Sequence, residues 1–103
     1  MKKNRVKELW GQGKAAVGTW LALGSPIVAE IIAQMGFDWV VIDTEHGAID
    51  IGTTQSIIQA VSTTNTVPIV RVPWNDPALI KRALDAGAYG LVIPMVNSRE
   101  EAL

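Results

Sequence analysis

Four short apolar runs, separated by stretches of helical periodicity, constrain this chain more than any other feature. The runs fall at residues 16–22, 39–43, 68–72 and 90–95. They are rich in Val and Ile and read as continuous apolar segments, not as a strict polar/apolar alternation. Parallel strands buried on both faces have that character. Strand, helix, strand, helix in regular succession specifies an α/β fold with a parallel sheet.

The intervening helices mark their own ends. A first helix carries Val6, Leu9 and Trp10, its basic residues solvated, and closes at Gly11. Ser25 followed by Pro26 is an N-cap and first-turn pair. Ile27, Val28, Ile31, Ile32 and Met35 then recur at helical spacing up to Gly36, predicting an amphipathic helix packed on the sheet. Thr53 or Thr54 is expected to cap the next helix, with Ile57, Ile58 and Val61 inward. Asp76 and Pro77 open another, with Leu79, Ile80, Ala83 and Leu84 toward the core and Gly87 as its stop. A capping box of Ser98 and Glu101 predicts one more helix start.

Each strand-helix unit takes about 25 residues, and a closed eight-unit barrel needs about 250. The 103 residues are therefore read either as the first four βα units of a (β/α)8 TIM barrel, the front part of a longer single domain, or as a half-barrel that must pair with another chain. A four-stranded piece leaves two parallel edges open, so the isolated chain is expected to associate. The rival architecture is a free-standing flavodoxin-like sheet.

Composition narrows the function. Nine Lys plus Arg against ten Asp plus Glu give a net charge of -1, so no global field gathers nucleic acid or anionic membrane. With no cysteine in the chain, disulfides and thiolate metal sites are excluded and a cytoplasmic setting is expected. No apolar run approaches the roughly 20 residues of a membrane span. Lys2, Lys3, Arg5 and Lys7 ahead of an apolar stretch loosely imitate a signal peptide, but Glu8, Gln12 and Lys14 interrupt it. A small-molecule partner is the expectation.

In parallel α/β folds ligand groups collect at the C-terminal ends of strands. Trp20 ends the first run; Asp43, Glu45 and His46 follow the second; Arg71 ends the third; Pro94 and Asn97 follow the fourth. His46, the single histidine, has the side chain whose ordinary pKa suits proton transfer near neutrality; its bland alternative is a loop histidine bonded to backbone. Asp43, Glu45 and His46 admit a metal-ligand reading, and Asp43 equally admits a role orienting His46 or capping a loop. Arg71 follows a buried strand with no evident local acid, which suits a carboxylate or enolate partner; a structural ion pair is the alternative. Trp20 and Trp74 are read either as pocket walls or as core. No phosphate-loop, GxSxG or HExxH pattern occurs. None of the five lysines lies at an expected strand tip, which argues against a Schiff base within these residues.

Taken in order, Gly18-Thr-Trp20, Gly24-Ser-Pro26 with Glu30, Phe37-Asp-Trp-Val-Val-Ile-Asp43-Thr-Glu-His46-Gly47, Val70-Arg71-Val-Pro-Trp74-Asn-Asp-Pro77 and Pro94-Met-Val-Asn-Ser98 resemble the HpcH/HpaI aldolase family. That resemblance implies a metal-dependent (β/α)8 barrel, commonly a hexamer, that cleaves 4-hydroxy-2-oxo acids to pyruvate or a related oxo acid plus an aldehyde. It further implies that His46 is the catalytic histidine, Asp43 the acid beside it, Arg71 the group at the oxo-acid enolate and Trp20 an aromatic at the substrate. The family's metal ligands, a Glu and an Asp for Mg2+, Mn2+ or Co2+, come from later strands and are expected after residue 103, none in this chain. The 103 residues alone are accordingly expected to be inactive. Two other readings stand beside the aldolase: an acyl-CoA lyase of the citrate-lyase type, and a non-catalytic half-barrel that pairs with another chain.

Overall fold

The computed structural model describes residues 4–45 and 49–94. Their elements run α1 (Arg5–Gly11), β1 (Gly18–Leu21), α2 (Pro26–Ala33), β2 (Trp39–Asp43), α3 (Ile51–Val61), β3 (Val67–Arg71), α4 (Pro77–Asp85) and β4 (Gly90–Val92). All strand pairs are parallel and the sheet order is β1-β2-β3-β4. A doubly wound sheet reverses its order at a switch point. Sequential neighbours joined by helical crossovers instead form a barrel wall, its helices on one face. The flavodoxin-like alternative is thereby set aside, and the four units are those expected of a (β/α)8 barrel. The expected helix at Ser98 lies outside the described residues.

Strand geometry divides each apolar run between two faces. Leu21, Val40, Ile42, Val70 and Val72 belong to the buried cluster shared with Ala29 and Ala33 of α2, Ile57, Ile58 and Val61 of α3 and Ala83 of α4. The alternate residues, Trp20, Val41, Asp43, Ile69 and Arg71, point to the opposite, inner face. Because both faces of β2 exclude water, Val40, Val41, Ile42 and Asp43 are all buried. This explains why the sequence shows an unbroken apolar run where the structure has period two.

Helix faces depart from expectation in one instructive case. In α2, Ala29 and Ala33 are buried and Ile32 packs against the core, whereas Ile27, Ile31 and Met35 are exposed. The helix presents its small alanines to the sheet, and the branched side chains at the neighbouring helical spacing turn outward. Leu84 in α4 likewise stays half exposed while Ala83 is buried. The cap of α3 is neither Thr53 nor Thr54 but Asp50, whose Oδ1 accepts from the Thr53 N–H at 2.7 Å. Thr54 is fully buried and donates its hydroxyl to the Asp50 carbonyl at 2.7 Å. Gly36 and Gly87 take φ of +94 and +110 just beyond α2 and α4, the left-handed stop that glycine tolerates best.

The N-terminal end of the sheet is tied together at Asp38. Its backbone N–H and C=O pair with Val17 at 2.6 Å and Val67 at 2.9 Å. Its carboxylate accepts from the Val17 N–H at 2.9 Å and from Arg5 Nε at 2.8 Å, which fastens α1 to the sheet. The Arg5 hydrogen bond, reinforced by the Val17 N–H, holds the Asp38 carboxyl below its ordinary value of 3.8. A depressed acid contributes stability above its unfolded pKa and loses it as pH falls through the folded value. Arg5→Ala is therefore expected to raise the Asp38 pKa and lessen the acid sensitivity of folding below about pH 4, which NMR titration of the Asp38 carboxyl will read.

Gly18 is required by close approach. A Cβ there would lie 2.0 Å from Trp39 Cδ2, and the ring is held by its own N–H donated to the Ala16 carbonyl at 3.4 Å. Gly18→Ala is expected to cost about 2 kcal/mol through overpacking, measured by urea unfolding; an unchanged midpoint would show that the indole swings clear.

Candidate active site

Three inner-face residues at successive strand ends converge because of register. Asp43 and Arg71 are direct partners across the β2/β3 ladder, and Trp20 sits opposite Val41 on β1. From there the Trp20 Nε1–H donates to Asp43 Oδ2 at 3.0 Å. Arg71 Nε lies 3.3 Å from Asp43 Oδ1 and 3.3 Å from Glu45 Oε2. The guanidinium carbon stands 5.3 Å from the centre of the Trp20 ring, within cation–π range. The Glu45 N–H donates to Asp43 Oδ1 at 3.0 Å, so the chain folds back onto its own carboxylate as it leaves β2.

Burial grades across this cluster. Asp43 is 5% exposed and the Arg71 side chain 21%, whereas Trp20 is 44% exposed and opens toward solvent. Arg71 Nε is buried, and neither carboxylate contact is aligned as a hydrogen bond. The attraction at this nitrogen is thus charge-to-charge. An arginine held this way keeps directional N–H donors for a planar anion.

Arg71 has no acid near it in sequence, as expected, but in space Asp43 and Glu45 both stand at its Nε, the ion pair held open as the alternative reading. These acids lie 28 and 26 positions away in sequence, too far to count as local. A signal is nevertheless present, since the apolar runs Val40-Val41-Ile42 and Pro68-Ile69-Val70 each end in a charged residue, and parallel strands of one length align such ends. Trp20 has a more specific part than a wall, as its N–H holds Asp43. Trp74 is 54% exposed, which excludes the core reading within the four described units. His46, Gly47 and Asn97 lie outside the described residues, as do Met95, Ser98 and Glu101.

The metal reading of Asp43 and Glu45 is not supported by their surroundings. A guanidinium stands between the two carboxylates, where it would repel a divalent ion.

Parallel βα units bearing an acid, an arginine and an indole at their C-terminal strand ends place polar groups where α/β-barrel proteins gather their ligands. The chain belongs to the HpcH/HpaI aldolase/citrate lyase family, whose profile matches residues 16–103. It is 45% identical over 100 residues to a hydroxypyruvate/pyruvate aldolase of Agrobacterium fabrum, covering 97% of this chain and 38% of that protein. It is 42% identical to a 4-hydroxy-2-oxo-heptane-1,7-dioate aldolase of Salmonella dublin, with the same coverage. A crystal structure of an HpcH/HpaI family protein from Burkholderia cenocepacia superposes with a TM-score of 0.89 at 38% identity, covering 97% of this chain and 40% of that one. The chain thus spans about two fifths of the length of these relatives.

The geometry ranks two of the side chains around Arg71. Trp20→Phe removes one hydrogen bond but keeps a ring beneath the guanidinium, and is expected to cost about 1 kcal/mol. Asp43→Ala strands the indole N–H and leaves a largely buried cation with Glu45 alone, and is expected to cost about 3 kcal/mol. Urea unfolding of both variants in the full-length protein tests the order; equal costs would remove Asp43 from its central place.

Proposed function

We propose that the protein at full length is an aldolase that cleaves 4-hydroxy-2-oxo acids to pyruvate, or a related oxo acid, and an aldehyde. The observation that carries this reading is Arg71 at the inner end of β3, placed by two carboxylates and an indole within a family of pyruvate-forming aldolases.

Cleavage breaks the C3–C4 bond of the oxo acid. The C4 hydroxyl gives up its proton, the C4 carbon leaves as an aldehyde, and the bonding pair moves into an enolate spanning C3, C2 and the keto oxygen. Protonation at C3 then yields pyruvate. Arg71 supplies positive charge where the enolate forms and N–H donors for the substrate's carboxylate, contacts that strengthen as negative charge develops. Trp20 and Asp43 keep the guanidinium in place and exclude water from its buried side. His46, matched by the family resemblance, is assigned the transfer of the hydroxyl proton.

The divalent ion implied by the family would act as a Lewis acid at the oxo acid. Asp43 and Glu45 do not fit it, because the guanidinium between them opposes a second cation. Homo-oligomerisation, as hexamers, is part of the same reading. No described helix is long and apolar enough to cross a membrane.

The test is release of pyruvate from a series of 4-hydroxy-2-oxo acids by the full-length protein and its Arg71 variants. Arg71→Ala is expected to lower kcat/KM by about two orders of magnitude or more, with Arg71→Lys a poor rescue because ammonium lacks the planar fork. Near-native kinetics for Arg71→Ala would reduce Arg71 to a structural ion pair; no turnover of any such acid by the wild-type protein would overturn the aldolase assignment.

A further inference from the structure

Three consecutive residues hold Arg71, and they hold it at opposite ends. Asp43 and Glu45 bring carboxylates to Nε. Thr44, between them, faces the backbone instead: its N–H donates to the Arg71 carbonyl oxygen at 3.0 Å, and its hydroxyl donates to the same oxygen. One residue therefore supplies both donors that a carbonyl's two lone pairs can accept.

The ladder explains the N–H contact but not the hydroxyl. In register, β2 and β3 end together at Asp43 and Arg71, and the next N–H of a parallel pair continues toward the partner's carbonyl. Any residue at position 44 other than proline would provide that bond. A hydroxyl adds a second anchor on the β2 side, where β2 gives way to loop, while on the β4 side the Val72 N–H still donates to the Val92 carbonyl at 3.1 Å. Carbonyl carbon and Cβ share the Arg71 Cα, so a carbonyl fixed from two directions sets the line along which the side chain leaves the strand.

We infer that Thr44 is a positioning residue for Arg71, its hydroxyl fixing the backbone at the end of β3 so that the guanidinium meets the substrate over the Trp20 ring. The inference rests on the assignment of Arg71 to the oxo acid. Thr44 does not touch the reacting atoms; it acts through the Arg71 main chain. A valine of the same shape lacks the donor, and a serine keeps it.

The experiment compares Thr44→Val, Thr44→Ser and, should the valine variant fold poorly, Thr44→Ala in the full-length protein. Three quantities are read: kcat and KM for a 4-hydroxy-2-oxo acid, and the Arg71 Nε–H resonance in the substrate-free protein. Thr44→Val is expected to lower kcat about tenfold with little change in KM, and to shift or broaden the Nε–H signal, while Thr44→Ser stays near wild type in all three. Unchanged kcat and an unchanged Nε–H signal in Thr44→Val would overturn the inference, as would an equal loss in Thr44→Ser. The resonance needs no substrate. An inactive wild-type protein would therefore defeat the aldolase reading while the Nε–H signal still decides whether Thr44 positions Arg71.

Discussion

A cation placed at the end of a buried strand is the constraint around which the described part of this fold is arranged. An arginine that leaves water without a partner costs several kcal/mol, so β3 cannot end in Arg71 unless its neighbour ends in an acid. Asp43 meets that condition only in the observed register, directly opposite Arg71. Slipping β2 by one residue would turn Asp43 toward the helices and put Ile42 beside the guanidinium. The ion pair thus adds specificity to a sheet whose Val and Ile runs, apolar on both faces, discriminate weakly between registers.

Two Arg–Asp pairs stand at opposite ends of the sheet and do different work. Arg5 and Asp38 meet at the N-terminal end, where the arginine side chain is 51% exposed and the acid gathers backbone from β1 and β3. That pair joins α1 to the sheet. Asp43 and Arg71 sit at the C-terminal end, more deeply buried and short of aligned hydrogen bonds at Nε. At the N-terminal end the arginine Nε makes a directed bond, whereas at the C-terminal end the directed bonds go to Asp43 and the arginine Nε meets its acids by charge alone.

The parts of this arrangement that depend on local chemistry are legible in the sequence. All four strands overlap the apolar runs that announce them, β2 with the same bounds, and Ser25-Pro26 and Asp76-Pro77 start α2 and α4 as their capping chemistry predicts. The inward face of α3 is legible too. Sequence and structure diverge where partners are distant or where size outweighs hydrophobicity. Ile27, Ile31 and Met35 look like a core face until one sees that Ala29 and Ala33 allow α2 to approach the sheet more closely. Asp50 is obscured as a cap by the two threonines that follow it. In the site, residue types and strand positions for Trp20, Asp43 and Arg71 can be read from the sequence, but the contacts among them depend on strand register. Thr44 gives no sign of its bond to Arg71, because a hydroxyl's partner across a sheet leaves no local pattern.

Glu45 gives the cluster an asymmetry of charge. Two carboxylates face one guanidinium, so these three side chains carry a formal sum of -1 where the proposed function has an anionic oxo acid bind. A carboxylate arriving there, as the proposed function requires, competes with Asp43 and Glu45 for a single cation. Asp43, buried and held by the Trp20 N–H, is the stronger competitor, and Glu45, at the mouth of the loop, is the one whose share of Arg71 an incoming carboxylate can displace. On the proposed function, affinity at this position is an exchange between an internal acid and an external one, in which a planar carboxylate beside a keto oxygen, able to present two acceptors at once, competes on better terms than a simple monocarboxylate.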